Sequence, residues 1–248
     1  PLHKRLDWLR WIKSAQEIRE IEQAEHIGDL AFAKIVQKLT DVYGSGQTMT
    51  EKQIAAWIEF YMKELGAENT SFDTIAASGI HSAMPHAIPT DRAPKDGDFL
   101  TMDFGCKVNG YCSDMTRTVV IGHASKEQKD IYDIVLRAQE AAFSVIRPGV
   151  RGCEVDEAAR NVISDAGYGD CFGHGLGHSV GLMIHERPCF SAKDESVLQP
   201  GMVITVEPGI YIEGAYGGRI EDLVVITEDG CRNLTHAPKE WKEIANIV

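Results

Sequence analysis

The sequence has no run of basic residues longer than two, and its 25 Lys+Arg stand against 37 Asp+Glu, a formal net charge of −12 over 248 residues. Binding a polyanion needs clustered cations, so nucleic acid is excluded as a partner. No apolar stretch approaches the ~20 residues of a membrane span. The opening residues PLHKRLDWLRWIK carry charges where a secretory signal would have its apolar core. Neither membrane nor export is therefore expected, and the cytoplasm is the expected location. The six cysteines, at 106, 112, 153, 171, 189 and 231, form no C-x-x-C pair. That excludes a zinc ribbon or dithiol motif, and they read as reduced thiols. No Pro/Gly/Ser-rich linker or low-complexity segment divides the chain.

What is present is concentrated. Three of nine histidines fall within the stretch GHGLGHSVGLMIHERP, Gly173 to Pro188. His174 and His178 stand four apart, as on one face of a zinc-binding helix. However, no Glu lies between them, and Gly173, Gly175, Gly177 and Gly181 would each cost a helix about 1 kcal/mol. The segment is predicted to be extended or turning, with glycine allowing close approach of backbone and substrate. A lone histidine in such a loop is most often an ordinary hydrogen-bonded residue. Three together leave the decision to the rest of the chain.

The spacing predicts a helix over 14–39 capped by Ser14, and a second from Thr50 to Gly66. GDFLTMDFG and YCSDMTRTVVIG then flank Asn109-Gly110, a strong hairpin signal. After Gly122 the order recurs, with helices through EQKDIYDIVLRAQEAAFSVI and CEVDEAARNVISDAGY, the glycine-histidine segment, and strands in MVITVEPGIYI and RIEDLVVITEDG. Gly97–Asp103 aligns without gaps on Gly201–Glu207, an acid closing each apolar run, and Asp114 and Glu221 each precede a further apolar run. The expectation is two related α+β halves, roughly 14–122 and 123–248, sharing one sheet and core behind a linker-like segment 1–13.

A two-residue turn at Asn109-Gly110 would pair 108 with 111, 105 with 114 and 103 with 116. Asp103 and Asp114 then lie diagonally on one face, about 7–8 Å apart at the backbone, and Gly105 leaves room opposite Asp114. Acids in apolar strands are costly unless paired. Arg117, Arg219 or Lys107 would suffice for one such pair. An internal two-fold, however, would add Glu207 and Glu221, and four carboxylates call for about four positive charges, which two divalent ions supply. With His178 the site has five protein ligands, rich in oxygen, which favours Mn²⁺ or Co²⁺, with Fe²⁺ and Zn²⁺ also open. Two such ions can hold a bridging hydroxide and polarise a carbonyl, the apparatus of an amide or ester hydrolase.

PHAIPTDRAPKDGDFLTMDFG, NGYCSDMTRT, GHGLGHSVGLMIHERP, VEPGIYI and GGRIEDLVVITEDG, in that order, resemble the catalytic domain of the pita-bread metallopeptidases, in the branch of aminopeptidase P and prolidase. The resemblance covers about residues 14–240. It implies a pita-bread α+β fold and hydrolysis of the N-terminal Xaa-Pro bond of short peptides, with two divalent ions, Mn²⁺ first among them. It further implies that Asp103 holds one metal, that Asp114 and Glu221 bridge both, and that His178 and Glu207 hold the other, Glu207 also handling the proton of the bridging water. By the same resemblance His86 lies near the leaving group, His185 stabilises the tetrahedral intermediate, His174 contacts substrate, Arg219 orients a metal carboxylate and Tyr211 supports the site through its hydroxyl, the last two being counted with the substrate-binding set. An Xaa-Pro aminopeptidase is the leading reading. A dipeptidase acting only on Xaa-Pro is its nearest rival, with a methionine-aminopeptidase-like enzyme or a non-catalytic peptide-binding module behind it. Relatives of this type commonly carry an N-terminal domain, so peptide-length preference and assembly, a homodimer included, stay open. His81 is expected to be structural or cleft-lining, and His3, His26, His123 and His236 to be surface residues. The four tryptophans are expected to pack rather than to bind peptide.

Overall fold

Residues 7–244 are described by a computed structural model. The segment 1–6, with His3, lies outside them.

Four long helices dominate the helical part among the described residues. Helix α1 (Ala15–Gly44) starts where Ser14 and Glu17 form a reciprocal capping box, and α2 (Glu51–Glu64) starts from the same device at Thr50 and Gln53. α1 is therefore five residues longer than its apolar spacing predicts, and α2 closes just before Gly66, at φ +107°. Helix α3 (Lys126–Val145) is capped by Ser125 with Gln128, and α4 (Gly152–Asp165) follows directly. The glycine-histidine segment contains no α-helix, and no helix among the described residues is long and apolar enough to cross a membrane.

The strands of the first half are β1 (Asn69–Thr70), β2 (Ile75–Ser78), β3 (Phe99–Phe104), β4 (Cys106–Val108), β5 (Tyr111–Cys112) and β6 (Met115–Ile121). β3 and β6 pair antiparallel with Asp103 opposite Thr116, and β4 and β5 with Val108 opposite Tyr111, the register that the sequence implies without a bulge. Asn109 (φ 49°) and Gly110 (φ 81°) make the turn. At Gly105 an added Cβ would come within 1.9 Å of the Ser113 carbonyl oxygen, so the ladder closes there only around glycine.

The second half contributes β7 (Gly177–Ser179), β8 (Glu186–Phe190), β9 (Val203–Val206), β10 (Gly209–Ile212), β11 (Tyr216–Arg219), β12 (Asp222–Ile226) and β13 (Cys231–Asn233), and β14 (Glu243–Ile244) ends the described chain. Its main sheet runs β13-β12-β9-β7-β8, while β14-β6-β3-β2 forms that of the first half. The expected single sheet and core are thus corrected. The two sheets touch through the isolated bridge Thr116↔Glu221, and the core divides into two large clusters and a smaller one. The reason lies at the acids, where Gly105, Pro208 and Ile220 fall outside the ladders and interrupt regular pairing.

Alternation then sorts the faces. Leu100, Met102 and Phe104 of β3 and Met115, Val119 and Ile121 of β6 pack toward α1 and α2, and Ile204, Val206, Val224 and Ile226 pack with α3 and α4. Asp103, Thr116, Thr205 and Glu207 stand on the opposite faces. Both chain ends cross over. Ile12 bridges Met202 beside β9, and β14 pairs in parallel with β6.

Two outcomes follow from this packing. Gly105→Ala is expected to lower stability by about 1–3 kcal/mol, an overpacking cost, read as a reduced unfolding midpoint. At Glu17, burial works to raise the pKa, but hydrogen bonds from the Ser14 N–H and from Arg10 outweigh it and hold the carboxylate at about 2. A folded pKa below the unfolded value means that this contribution is complete above about pH 4.5 and is lost as pH falls toward 2. Glu17→Gln should therefore cost about 0.5–1 kcal/mol at pH 7 and flatten the decline of the thermal midpoint over that acid range.

Candidate metal centre

The four acids meet where the two sheets converge. Asp103 is the last residue but one of β3, Asp114 precedes β6, Glu207 follows β9 and Glu221 precedes β12. The β9–β12 register, Val206 opposite Asp222, places Glu207 and Glu221 one step beyond the last pair, so they face each other directly rather than diagonally as Asp103 and Asp114 do. Single atoms of Asp114, His178 and Glu221 lie within 4.8 Å of one another. His178 Nε2 is 3.4 Å from Asp114 Oδ2 and 3.5 Å from Glu207 Oε1.

Hydrogen bonding settles what these groups can offer. His178 Nδ1 sits 3.2 Å from the Ser179 carbonyl oxygen, a partner that can only accept, so Nδ1 carries a proton and Nε2 is the ring nitrogen turned toward the acids. The Thr205 hydroxyl accepts from the His178 N–H at 3.0 Å and donates to Glu207 Oε1 at 3.2 Å. The Thr116 hydroxyl donates to Glu221 Oε2 at 2.6 Å and accepts from Arg219 Nε at 3.0 Å. Sequence reasoning missed both threonines. Each was discoverable as a same-face neighbour, Thr205 two residues before Glu207 and Thr116 opposite Asp103.

Arg219 is the cation that the acids recruit. Its Nη2 donates to Asp103 Oδ2 at 2.5 Å and its Nη1 to the Tyr211 hydroxyl at 2.8 Å. Tyr211 in turn donates to His174 Nε2 at 2.9 Å, and His174 Nδ1 bonds the Gly175 carbonyl at 2.8 Å. This chain requires neutral His174, and burial lowers its pKa accordingly. Arg117, another candidate neutraliser, is turned to Asp222 and pairs with it at 2.7 Å.

One guanidinium does not balance four acids. Burial, followed by the neighbouring carboxylates, pushes Asp114 and Glu221 well above the ordinary carboxylate range. Burial also raises Asp103, against the pull of Arg219, and its Oδ1 is buried without a hydrogen-bond partner. An orphaned carboxylate oxygen, an imidazole nitrogen turned toward the acids and crowded carboxylates are the donor set of a hard divalent cation, so the residues fit the expected metal.

The five side chains line a cavity of about 570 Å³ together with His86, His174, His185 and Arg219, while Phe72, Ile75, Ile88 and Ile184 give it an apolar wall. The His185 and His178 rings lie edge to face at 4.4 Å between centroids, and burial followed by His178 lowers the His185 pKa. His86 is carried by a loop whose two ends share one anchor. Glu51 accepts from the N–H and hydroxyl of Ser78 at 2.8 and 2.7 Å and from those of Thr90 at 3.0 and 2.6 Å. His81 bonds the same carboxylate at 3.0 Å and does not line the cavity. Tyr211, expected among the substrate-binding residues, does not line it either; its hydroxyl lies behind the wall, committed to His174 and Arg219. Both ring nitrogens of His174 are likewise engaged. His26, His123 and His236 are exposed. Trp11 and Trp241 pack against the second large cluster and Trp57 against the first, whereas Trp8 is 62% exposed.

Comparison with known proteins agrees with this geometry. Residues 19–228 match the model of metallopeptidase family M24. An uncharacterized peptidase of Bacillus subtilis is 45% identical over 97% of this chain, and an Xaa-Pro dipeptidase of Pyrococcus furiosus is 47% identical over 94% of it. The chain spans 66% and 65% of the length of these two curated relatives. Among solved structures, an X-Pro aminopeptidase of Thermotoga maritima superposes with a TM-score of 0.92 at 44% identity, covering 97% of this chain and 67% of that one. The α+β architecture is the pita-bread fold of these relatives, and the chain belongs to metallopeptidase family M24.

Proposed function

We propose that this chain carries the active site of a dinuclear metal-dependent dipeptidase, acting in the cytoplasm on dipeptides with proline second. The observation that carries this reading is the set of four carboxylates and one imidazole lining a single cavity with an apolar wall. The aminopeptidase reading drawn first from the sequence gives way to the dipeptidase reading because the Pyrococcus furiosus relative, 47% identical, bears the latter name.

Asp103, Asp114, His178, Glu207 and Glu221 would hold two divalent ions, Mn²⁺ first by the hardness of the donors. Such ions supply Lewis acidity and an activated water for amide hydrolysis. The protein's own residues do the rest. Glu207 would accept a proton from the attacking water and return it to the proline nitrogen as the C–N bond breaks. Its Oε1 already accepts the Thr205 hydroxyl, which fixes the carboxylate beside His178. His185, whose pKa is lowered by partial desolvation and by His178, would offer an N–H to the oxyanion that develops on the carbonyl, a term worth a few kcal/mol. His86 would stand at the leaving nitrogen, held there through the Glu51-anchored loop. Arg219 would keep Asp103 ionised and oriented, with Tyr211 and His174 bracing the guanidinium from behind. The wall of Phe72, Ile75, Ile88 and Ile184 suits an uncharged pyrrolidine ring.

With Mn²⁺ added, an Xaa-Pro dipeptide is expected to be cleaved and an Xaa-Pro-Yaa peptide of the same Xaa to be cut far more slowly. Product analysis showing the longer peptide cut and the dipeptide intact would restore the aminopeptidase reading. Asp114→Asn is expected to abolish activity and metal loading together, followed by metal analysis with the fold checked by circular dichroism. Retention of both would remove Asp114 from the metal site.

A further inference from the structure

The loop between β7 and β8 carries two groups of the proposed site in an unusual relation. His178 lies in β7 and His185 immediately before β8, and the ladder that joins these strands shifts register between His178 and Ser179. The pair that closes the loop is Ser179 opposite Glu186, each one residue beyond a site histidine. A register shift of this kind disrupts the ladder locally. Yet the two rings are held in edge contact at 4.4 Å.

On the far side of the closing pair lies the ammonium of Lys13, from the segment that precedes α1. Its side chain is fully buried; Nζ donates to Ser179 Oγ at 2.8 Å and pairs with Glu186 Oε2 at 3.2 Å. Each partner is fixed in turn. Ser179 Oγ donates to the Val203 carbonyl at 2.7 Å, and Glu186 Oε1 accepts the Met183 N–H at 3.2 Å. Gly181 leaves the space for the Glu186 carboxylate, since an added Cβ would fall 2.5 Å from both of its oxygens. The backbone of Lys13 is itself anchored, its N–H donating to the Gly201 carbonyl at 2.8 Å beside the Ile12–Met202 bridge.

A buried lysine costs several kcal/mol in desolvation and contributes little net stability even when paired. Geometry gives it another use. Ser179 and Glu186 each directly follow a site histidine, so a cation that grips both fixes the backbone from which His178 and His185 reach the cavity. We propose that Lys13 is a positioning residue that sets the separation of the His178 and His185 rings, and so makes the segment before α1 a working part of the active site. This inference rests on the roles given above to the two histidines.

The test removes both charges, so that no unpaired buried ion confuses the result. Lys13→Met alone should lower the thermal midpoint, because it strands the Glu186 carboxylate. The double variant Lys13→Met/Glu186→Gln should recover most of that midpoint. A positioning role predicts that kcat for an Xaa-Pro dipeptide stays about 10- to 100-fold down in the double variant, with KM changed much less. It also predicts that the cross-relaxation between the His178 and His185 ring protons weakens in nuclear magnetic resonance spectra of the full chain without paramagnetic metal. Recovery of midpoint, kcat and ring contact together would overturn the proposal and leave Lys13 a stability residue. If the double variant does not fold, Glu186→Gln alone decides. It should move the His185 ring signals and lower kcat, and unchanged signals and rate would overturn the proposal. Should wild type itself not cleave Xaa-Pro dipeptides, the functional reading fails, while the ring contact still reports on Lys13.

Discussion

Mutual repulsion among buried and half-buried carboxylates is the constraint around which this molecule is arranged. Asp103, Asp114, Glu207 and Glu221 come from four strand ends in two sheets, and each loses solvation by meeting the others. Arg219 offsets part of that cost, and threonine hydroxyls take up single oxygens, but an oxygen of Asp103 remains without a partner. Such a pocket is stable only because the surrounding fold is committed elsewhere. Two large apolar clusters, each roofed by a pair of helices, stabilise the sheets from the faces opposite the acids.

The groups around the acids form a graded set of supports. Arg219 reaches Asp103 with one nitrogen, Glu221 through the Thr116 hydroxyl with another, and His174 through Tyr211 with the third. A single planar cation with donors in a fixed fork can serve three directions in this way, which a lysine could not. On the other side of the cavity the His86 loop is gathered on Glu51, whose carboxylate holds five donor groups. Burial acts to raise the pKa of that acid, but the bonds from Thr90 and Ser78 prevail and it falls below the ordinary glutamate range. Lys13 closes the third side, behind the histidine loop. Arg219 itself lines the cavity, whereas Tyr211, Glu51 and Lys13 support it from outside.

The crossing of the chain ends gives these supports their reach. The residues before α1 pack on the second half and the last described strand on the first, so that neither half is closed by its own sequence alone. α1 itself runs along the seam. Its Ile21 packs with Val180, Val203 and Leu223, and most of its later apolar residues join the first cluster. At the junction Glu25 accepts the Thr235 hydroxyl and the Asp114 N–H.

Much of this was legible in the sequence. Capping boxes at Ser14 and Thr50, the hairpin at Asn109-Gly110 and the non-helical course of the glycine-histidine segment are local matters, decided by side chains within four residues of the backbone they shape. The convergence of Asp103 with Asp114 was legible too, because a two-residue turn fixes every later pair by counting. Tertiary structure alone decided how Glu207 and Glu221 meet, since the extra β10–β11 hairpin between them alters the spacing, and why the sheet divides in two. It alone decided that Arg219 rather than Arg117 reaches the acids, that Tyr211 stands behind the wall, and that Lys13 lies under the histidine loop from 166 residues away. Local propensity carries no information about which distant charge will reach a buried one. That is set by the course of the strands and the path of the chain ends, which exist only once the whole fold has formed.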